Sequence, residues 1–179
     1  AYGVAVAGGY AFVADESAGL TVVDVRVPTA PSVVATLATA GSAWNVTISG
    51  HHAYLTGSSG LYIIDISAPS APHEVGSLPG RVEAVEVAGS LAYVAGSSRG
   101  GVVVDVSDPS QPVEVGVYDT PGDSDDLTLA AGMVVVADGD AGVAVFDDCE
   151  GWTPEIPVSY IPAAAVAAGA QGAFFSTDL

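Results

Sequence analysis

Residues 9–25, GYAFVADESAGLTVVDV, decide the fold because the same phrase returns three more times. It reappears as HHAYLTGSSGLYIIDI at 51–66, LAYVAGSSRGGVVVDV at 91–106 and MVVVADGDAGVAVFDD at 133–148. Asp24, Asp65, Asp105 and Asp147 stand 41, 40 and 42 residues apart, and Val4, Val46, Val85 and Leu127 stand 42, 39 and 42 apart. A period of roughly 40–45 residues marks a repeat architecture, in which a unit cannot bury its apolar face alone and neighbours must stack.

Each unit reads as four short strands. In the first, Val4 to Ala7 is closed by Gly8-Gly9, a dipeptide suited to a tight hairpin. Tyr10 to Ala14 follows, then a turn through Gly19, then the β-branched run Leu20 to Val25. Pro28 and Pro31 break the ladder, because proline donates no backbone hydrogen bond, and Ser32 to Ala38 supplies the fourth strand. The hairpin glycines recur as Gly50, Gly89 and Gly132, and those before the third strand as Gly60, Gly101 and Gly142. No segment carries a capped helical period. The expected fold is all-β, a β-propeller of four-stranded antiparallel blades, with four blades at about 1–42, 43–81, 82–123 and 124–162. The fourth unit departs from the pattern at Asp148-Cys149, as terminal repeats commonly do. Residues 163–179 read as a linker and the start of a further β-domain, or as a truncated fifth blade. The four blades make either a tight ring or an arc of a larger propeller. No strand is left over to close a ring, which favours the arc.

The strings GLTVVDVRVPTAP, GLYIIDISAPSAP and GVVVDVSDPSQP resemble LVIVD repeats, bacterial and archaeal blade units named for such a hydrophobic–Asp string. The resemblance runs from residue 1 to about 162. It implies a β-propeller, usually within a secreted or surface-attached multidomain protein, and it implies no shared catalytic residue set.

Composition narrows the partners. The chain has 179 residues, three Lys plus Arg (all arginine), twenty-one carboxylates and a formal charge of −18. Such a field repels phosphate backbones, which argues against nucleic acid and against anionic membrane surfaces. No apolar run approaches the roughly 18 residues of a membrane helix. A protein or carbohydrate partner, cationic for preference, fits the charge, as do further blades or domains of a parent chain. The sequence opens inside a unit and reads as a piece of a longer protein, expected to be extracellular or at the cell surface. Cys149 stands alone, so no internal disulfide and no zinc spacing is expected.

Blade geometry places the turns between second and third strands, and the links between units, on one end of the propeller. That end gathers the ligand-face candidates Tyr2, Trp44, Arg81, Glu83, Arg99 and Asp125. Tyr2 and Trp44 offer rings that stack on a sugar or a peptide side chain. The densest acidic loop holds Asp119, Asp123, Asp125 and Asp126, oxygen donors of the kind calcium prefers, and these form the candidate cation site. DxDxDG spacing with a distal Glu is missing, so a solvated acidic turn is the stronger reading. Asp138-Gly139-Asp140 reads as a turn. The repeated aspartates sit at strand ends just before proline, where a carboxylate accepts backbone N–H groups and fixes the turn. His51, His52 and His73 lack a third ligand at zinc spacing. There is no nucleophile elbow and, without lysine, no phosphate loop. No catalytic residue is assigned. The expectation is a non-catalytic interaction scaffold, with a metal-dependent propeller hydrolase or lyase fragment, or a structural spacer, as alternatives.

Overall fold

The computed structural model describes residues 1–147 and 159–162. Four separate four-stranded sheets follow one another along the chain, each a simple antiparallel meander. Blade 1 is β1 (Gly3–Ala7), β2 (Tyr10–Ala14), β3 (Leu20–Asp24) and β4 (Ser32–Leu37). Blade 2 is β5 (Ala43–Ser49), β6 (His52–Gly57), β7 (Gly60–Asp65) and β8 (His73–Pro79). Blade 3 is β9 (Ala84–Ala88), β10 (Leu91–Ala95), β11 (Gly101–Asp105) and β12 (Val113–Tyr118). Blade 4 is β13 (Asp126–Ala130), β14 (Met133–Ala137), β15 (Gly142–Asp147) and β16 (Ser159–Pro162). The expected strands fall within a residue or two of these limits. The one helical element among the described residues is a 3-10 turn at Gly139–Ala141. No helix among them is long and apolar enough to cross a membrane. The departure at Cys149 and the 163–179 segment lie outside the described residues.

Local chemistry repeats with the blades. A bulge falls between Val22 and Val23, Ile63 and Ile64, and Val103 and Val104, the same step of the third strand in blades 1 to 3. Bulges increase twist, and twisted sheets stack as blades. The turn before the third strand needs a left-handed residue at Gly19 (φ +78°) and Gly100 (φ +74°), where a Cβ would strike the carbonyl oxygens of Leu37 and Tyr118. In the third unit the glycine equivalent to Gly19 and Gly60 is therefore Gly100, since these three are the ones whose Cβ would strike the fourth-strand carbonyl, of Leu37, Leu78 and Tyr118 respectively.

Alternation along each strand gives every blade two apolar faces. The leading face packs on the next blade, and the trailing face on the one before. Phe12, Ala14, Leu20 and Val22 lead from blade 1 onto Val46, Ala53, Leu55, Tyr62 and Ile64 of blade 2. Tyr54, Leu61 and Ile63 lead onto Val85, Ala92, Val94, Val102 and Val104 of blade 3. Tyr93, Ala95, Val103 and Tyr118 lead onto Leu127, Val134, Val136, Ala144 and Phe146 of blade 4, with the Tyr118 and Phe146 ring centroids 4.3 Å apart. The first strands β1, β5, β9 and β13 lie side by side in that order, but β1 and β13 have no comparable contact.

The repeat position at the head of the first strand reports the consequence. Val46, Val85 and Leu127 are 5 %, 2 % and 6 % exposed, because each meets the preceding blade. Val4 is 63 % exposed and Val6 68 %. Among the described residues three inter-blade cores exist and a fourth does not, so the four blades described form an open arc.

The same substitution should read differently at the two ends. Val46→Ala removes about two buried carbons at roughly 0.8 kcal/mol each plus a cavity term, about 2 kcal/mol in all. Val4→Ala should stay within about 0.5 kcal/mol of wild type. Urea titrations of the two variants measure the contrast.

Candidate functional site

One end of the arc is stitched together by its loops. The Glu16 N–H donates to the Ala43 carbonyl (3.2 Å) and the Ala43 N–H to the Glu16 carbonyl (3.0 Å), joining a turn of blade 1 to the lead-in of blade 2. Ser97 and Ser124 make the same reciprocal pair between blades 3 and 4, at 3.2 and 3.0 Å. Glu16 and Ser97 accept left-handed backbones to do so (φ 47° and 54°). The turns between second and third strands and the inter-unit links thus share one end, as blade geometry requires.

At that end the residues just before the first strands occupy one repeated position. The N–H groups of Tyr2, Glu83 and Asp125 donate to Ala14, Ala95 and Ala137 of their own blades at 2.9, 2.8 and 2.9 Å. In blade 2 the position is Trp44, set on a bulge between Ala43 and Asn45. Of the candidates, the fold assembles three. The Arg81 guanidinium lies over the Trp44 ring, 5.1 Å from its centroid, and Arg81 Nε donates to Glu83 Oε1 at 2.6 Å. The buried Thr56 hydroxyl donates to the Glu83 carbonyl at 2.8 Å, fixing this link to blade 2. The result is a stacked cation–ring platform with an exposed guanidinium and half-buried Trp44 and Glu83.

The other candidates stand apart. Tyr2 is exposed at the head of the unpartnered blade face. Arg99 Nη2 pairs with both Glu114 oxygens (3.0 and 2.8 Å) on β12, the outer strand of its blade. Asp119, Asp123, Asp125 and Asp126 are all exposed, and no three His, Cys, Asp or Glu side chains among the described residues form a metal-holding group. The acidic loop therefore presents scattered carboxylates to solvent, and Asp126 Oδ1 accepts the neighbouring Leu127 N–H (2.9 Å).

The informative carboxylate of this region is Asp138. It is fully buried, accepts the Gly122 N–H at 2.9 Å on Oδ2, and takes a longer bond from the Ser124 hydroxyl (3.4 Å) on Oδ1. Its backbone closes the turn with Gly142 (2.8 Å) and Ala141 (2.9 Å). Asp138 pins the link carrying Asp123 and Asp125 to the turn of blade 4. Its sequence context, Asp-Gly, spoke only of a turn; burial comes from the neighbouring link folding over it.

The repeated aspartates fix turns. Asp65 Oδ1 accepts the Ser67 N–H (2.8 Å) and hydroxyl (2.6 Å), and Asp105 Oδ1 accepts the Ser107 N–H (2.8 Å). Asp24 Oδ1 accepts the Arg26 N–H (3.0 Å), and its carboxylate also pairs with the Arg26 guanidinium. Hydrogen bonding from the Arg26 side chain holds the Asp24 carboxyl at about 2, and bonds from Ser67 and Ser107 lower Asp65 and Asp105. Strand register also sets His52, Asp65 and His73 in one cross-strand row, a neighbourhood that spacing along the chain concealed.

Residues 1–39, 40–78 and 79–120 match the LVIVD repeat. The chain belongs to the LVIVD repeat family. The fourth unit lies beyond the matched segments, yet it builds the same sheet as the three LVIVD units. No curated protein matches the chain. Among solved structures it resembles the periplasmic gluconolactonase PpgL of Pseudomonas aeruginosa, at 15 % identity, over 88 % of this chain and 55 % of that one, with a TM-score of 0.72. It also resembles two computationally designed proteins. The first is Ika4, at 10 % identity, over 82 % of this chain and 89 % of that one, with a TM-score of 0.66. The second is Ika8, at 11 % identity, over 84 % and 46 %, with a TM-score of 0.65. The chain thus spans about half the length of the gluconolactonase and of Ika8. These likenesses establish the β-propeller fold.

Two outcomes test the carboxylate assignments. Asp138→Ala leaves the Gly122 N–H without its acceptor and should cost about 1–3 kcal/mol in a denaturant titration. For Asp24, a folded value below the ordinary 3.8 means its stabilisation is complete above about pH 4 and is lost as pH falls toward about 2. The melting-temperature gap between wild type and Asp24→Ala should therefore be constant above about pH 4 and close below it.

Proposed function

We propose that this chain is a non-catalytic repeat module of a secreted or cell-surface bacterial protein, binding a protein or glycan partner at the loop end of the arc. The observation that carries the reading is the Trp44–Arg81–Glu83 platform. It joins a planar cation, an aromatic ring and a carboxylate at a repeat position that architecture leaves free to vary. A stacked guanidinium and ring offer flat apolar area with hydrogen-bond donors at its edge, a combination suited to a sugar ring or a peptide side chain. The charge of −18 favours cationic partners at range. The inter-blade cores supply a rigid support, and further blades or domains of a parent chain complete the assembly.

A hydrolase reading is prompted by the resemblance to a gluconolactonase. Against it stands the donor set: Glu86 occupies the inner-strand position whose equivalents are Ala5, Thr47 and Thr128, so the carboxylate is not repeated around the arc. Burial, helped by Asp126, raises the Glu86 carboxyl, but it has no partner donors to form a metal centre among the described residues.

The test is a screen of the whole chain on arrayed neutral and acidic oligosaccharides and on arrayed basic peptides, followed by titration of any hit. Trp44→Ala and Arg81→Ala should each weaken binding tenfold or more without changing the melting temperature by more than a few degrees. Hits unaffected by both variants would place recognition elsewhere. Turnover of glucono-lactone, with or without added calcium, would favour the hydrolase instead.

A further inference from the structure

At the loop end, the junction between blades 2 and 3 is built differently from the other two. Junctions 1–2 and 3–4 close with a reciprocal backbone pair, Glu16 with Ala43 and Ser97 with Ser124. Blade 2 turns over the tight Gly57-Ser58-Ser59-Gly60 hairpin, whose Ser58 N–H goes back to the Ser42 carbonyl of its own lead-in at 3.0 Å. The link into blade 3 is held instead by the Gly80 N–H on the Ser59 carbonyl (3.2 Å), the Val82 N–H on the Gly57 carbonyl (3.1 Å) and one side chain, Thr56. Strand register gives Thr56 the position of Ala14, Ala95 and Ala137 in the other blades. Ala14, Thr56 and Ala95 are all fully buried, so alanine satisfies the packing of that place and the hydroxyl is an addition. A buried hydroxyl costs free energy unless it is bonded, and this one donates to the Glu83 carbonyl at 2.8 Å.

We propose that Thr56 is the positioning residue of the Trp44–Arg81–Glu83 platform, an inference that rests on the platform being the recognition site. Thr56 lies on β6 opposite Asn45, the residue after Trp44, so the strand with the hydroxyl is paired to the strand with the ring. Glu83 is gripped from both blades: its N–H donates to Ala95 of blade 3 at 2.8 Å, and its carbonyl accepts from Thr56 of blade 2. Its carboxylate accepts from Arg81 Nε at 2.6 Å, and the guanidinium lies back over Trp44, 5.1 Å from the ring centroid. The ring belongs to one blade and the cation to the link into the next, so their separation is set at the junction. An exposed cation–ring contact and an exposed ion pair are each too weak to hold a long side chain against its rotamer entropy. The backbone beneath them decides whether they form. Where the equivalent residue is Ala14 or Ala95, the next link carries no platform: Ser42 and Trp44, or Asp123 and Asp125, stand at the Arg81 and Glu83 positions.

The test is nuclear magnetic resonance of the whole chain. Its three arginines give three side-chain Nε–H signals, and Arg81→Gln identifies the one that matters. In the wild type that signal should show Overhauser contacts to the Trp44 indole protons. Thr56→Val keeps the shape and removes the hydroxyl, and Thr56→Ala installs the residue of the other blades. Both should lose those contacts while the Arg26 signal of blade 1 keeps its place, and Thr56→Ser, which retains a hydroxyl, should keep them. Absence of the contacts in the wild type, or their persistence in Thr56→Val and Thr56→Ala, overturns the inference. So does a shift of the Arg26 signal, which would mark a general loosening. On the oligosaccharide and basic-peptide arrays, Thr56→Val should weaken by about tenfold the hits that Trp44→Ala weakens. Hits lost with Trp44→Ala but kept at full strength in Thr56→Val would overturn the role of Thr56 and leave the platform as the binding site. Arrays without hits count against the binding reading alone, because the Overhauser contacts decide the role of Thr56 with no partner present.

Discussion

Everything in this molecule depends on the packing of one blade's leading face against the next blade's trailing face. A single four-stranded meander has no interior: its side chains point alternately to two sides, and both are apolar. Burial becomes available only through a neighbour, so stability is a property of interfaces more than of units. The three cores show how tolerant that packing is. Phe12, Tyr54 and Tyr93 fill the same place against Val46, Val85 and Leu127, so the position stays aromatic-on-aliphatic while its volume varies from junction to junction.

This dependence divides the polar residues into two kinds. Those at strand ends serve the blade. Asp24, Asp65 and Asp105 each hold an N–H two residues on, which stops the third strand and directs the chain into its turn. Those on the links between units serve the junctions, and here the blades cease to be copies. Junction 2–3 carries the Thr56 hydroxyl bond and the Trp44–Arg81–Glu83 platform, whereas the link into blade 4 is fastened by Asp138. The position that is Tyr2, Trp44, Glu83 and Asp125 in successive units has no packing duty in common, and it is where a recognition surface can diverge without loss of fold.

Legibility in the sequence followed the same division. The strands, their order and the turn role of the aspartates were readable because they depend on contacts a few residues apart and were stated repeatedly. The glycine of the third unit was misplaced by one residue because Gly100 and Gly101 are adjacent, and only the close approach of the Tyr118 carbonyl distinguishes them. Of the site, the face and the residue types were readable, but the grouping was not. Arg81 stacks on Trp44, 37 residues earlier in the chain, whereas Arg99 pairs with Glu114 on an outer strand, and nothing in their local contexts separates the two arginines. Asp138 was read as a turn residue and is the buried anchor of its junction.

The sequence by itself determined the repeat, the four-stranded blade, the absence of helical periodicity and a strongly acidic composition. All of these rest on short-range periodicity and on composition, which a linear string contains in full. The arc was already the favoured reading of the sequence; only the tertiary structure decided that no fourth inter-blade core forms among the described residues, which arginine belongs to the platform, and that Asp138 is buried. Each of these depends on which surfaces meet across 15 to 40 or more residues of chain, and a repeated sequence offers the same surface to every neighbour.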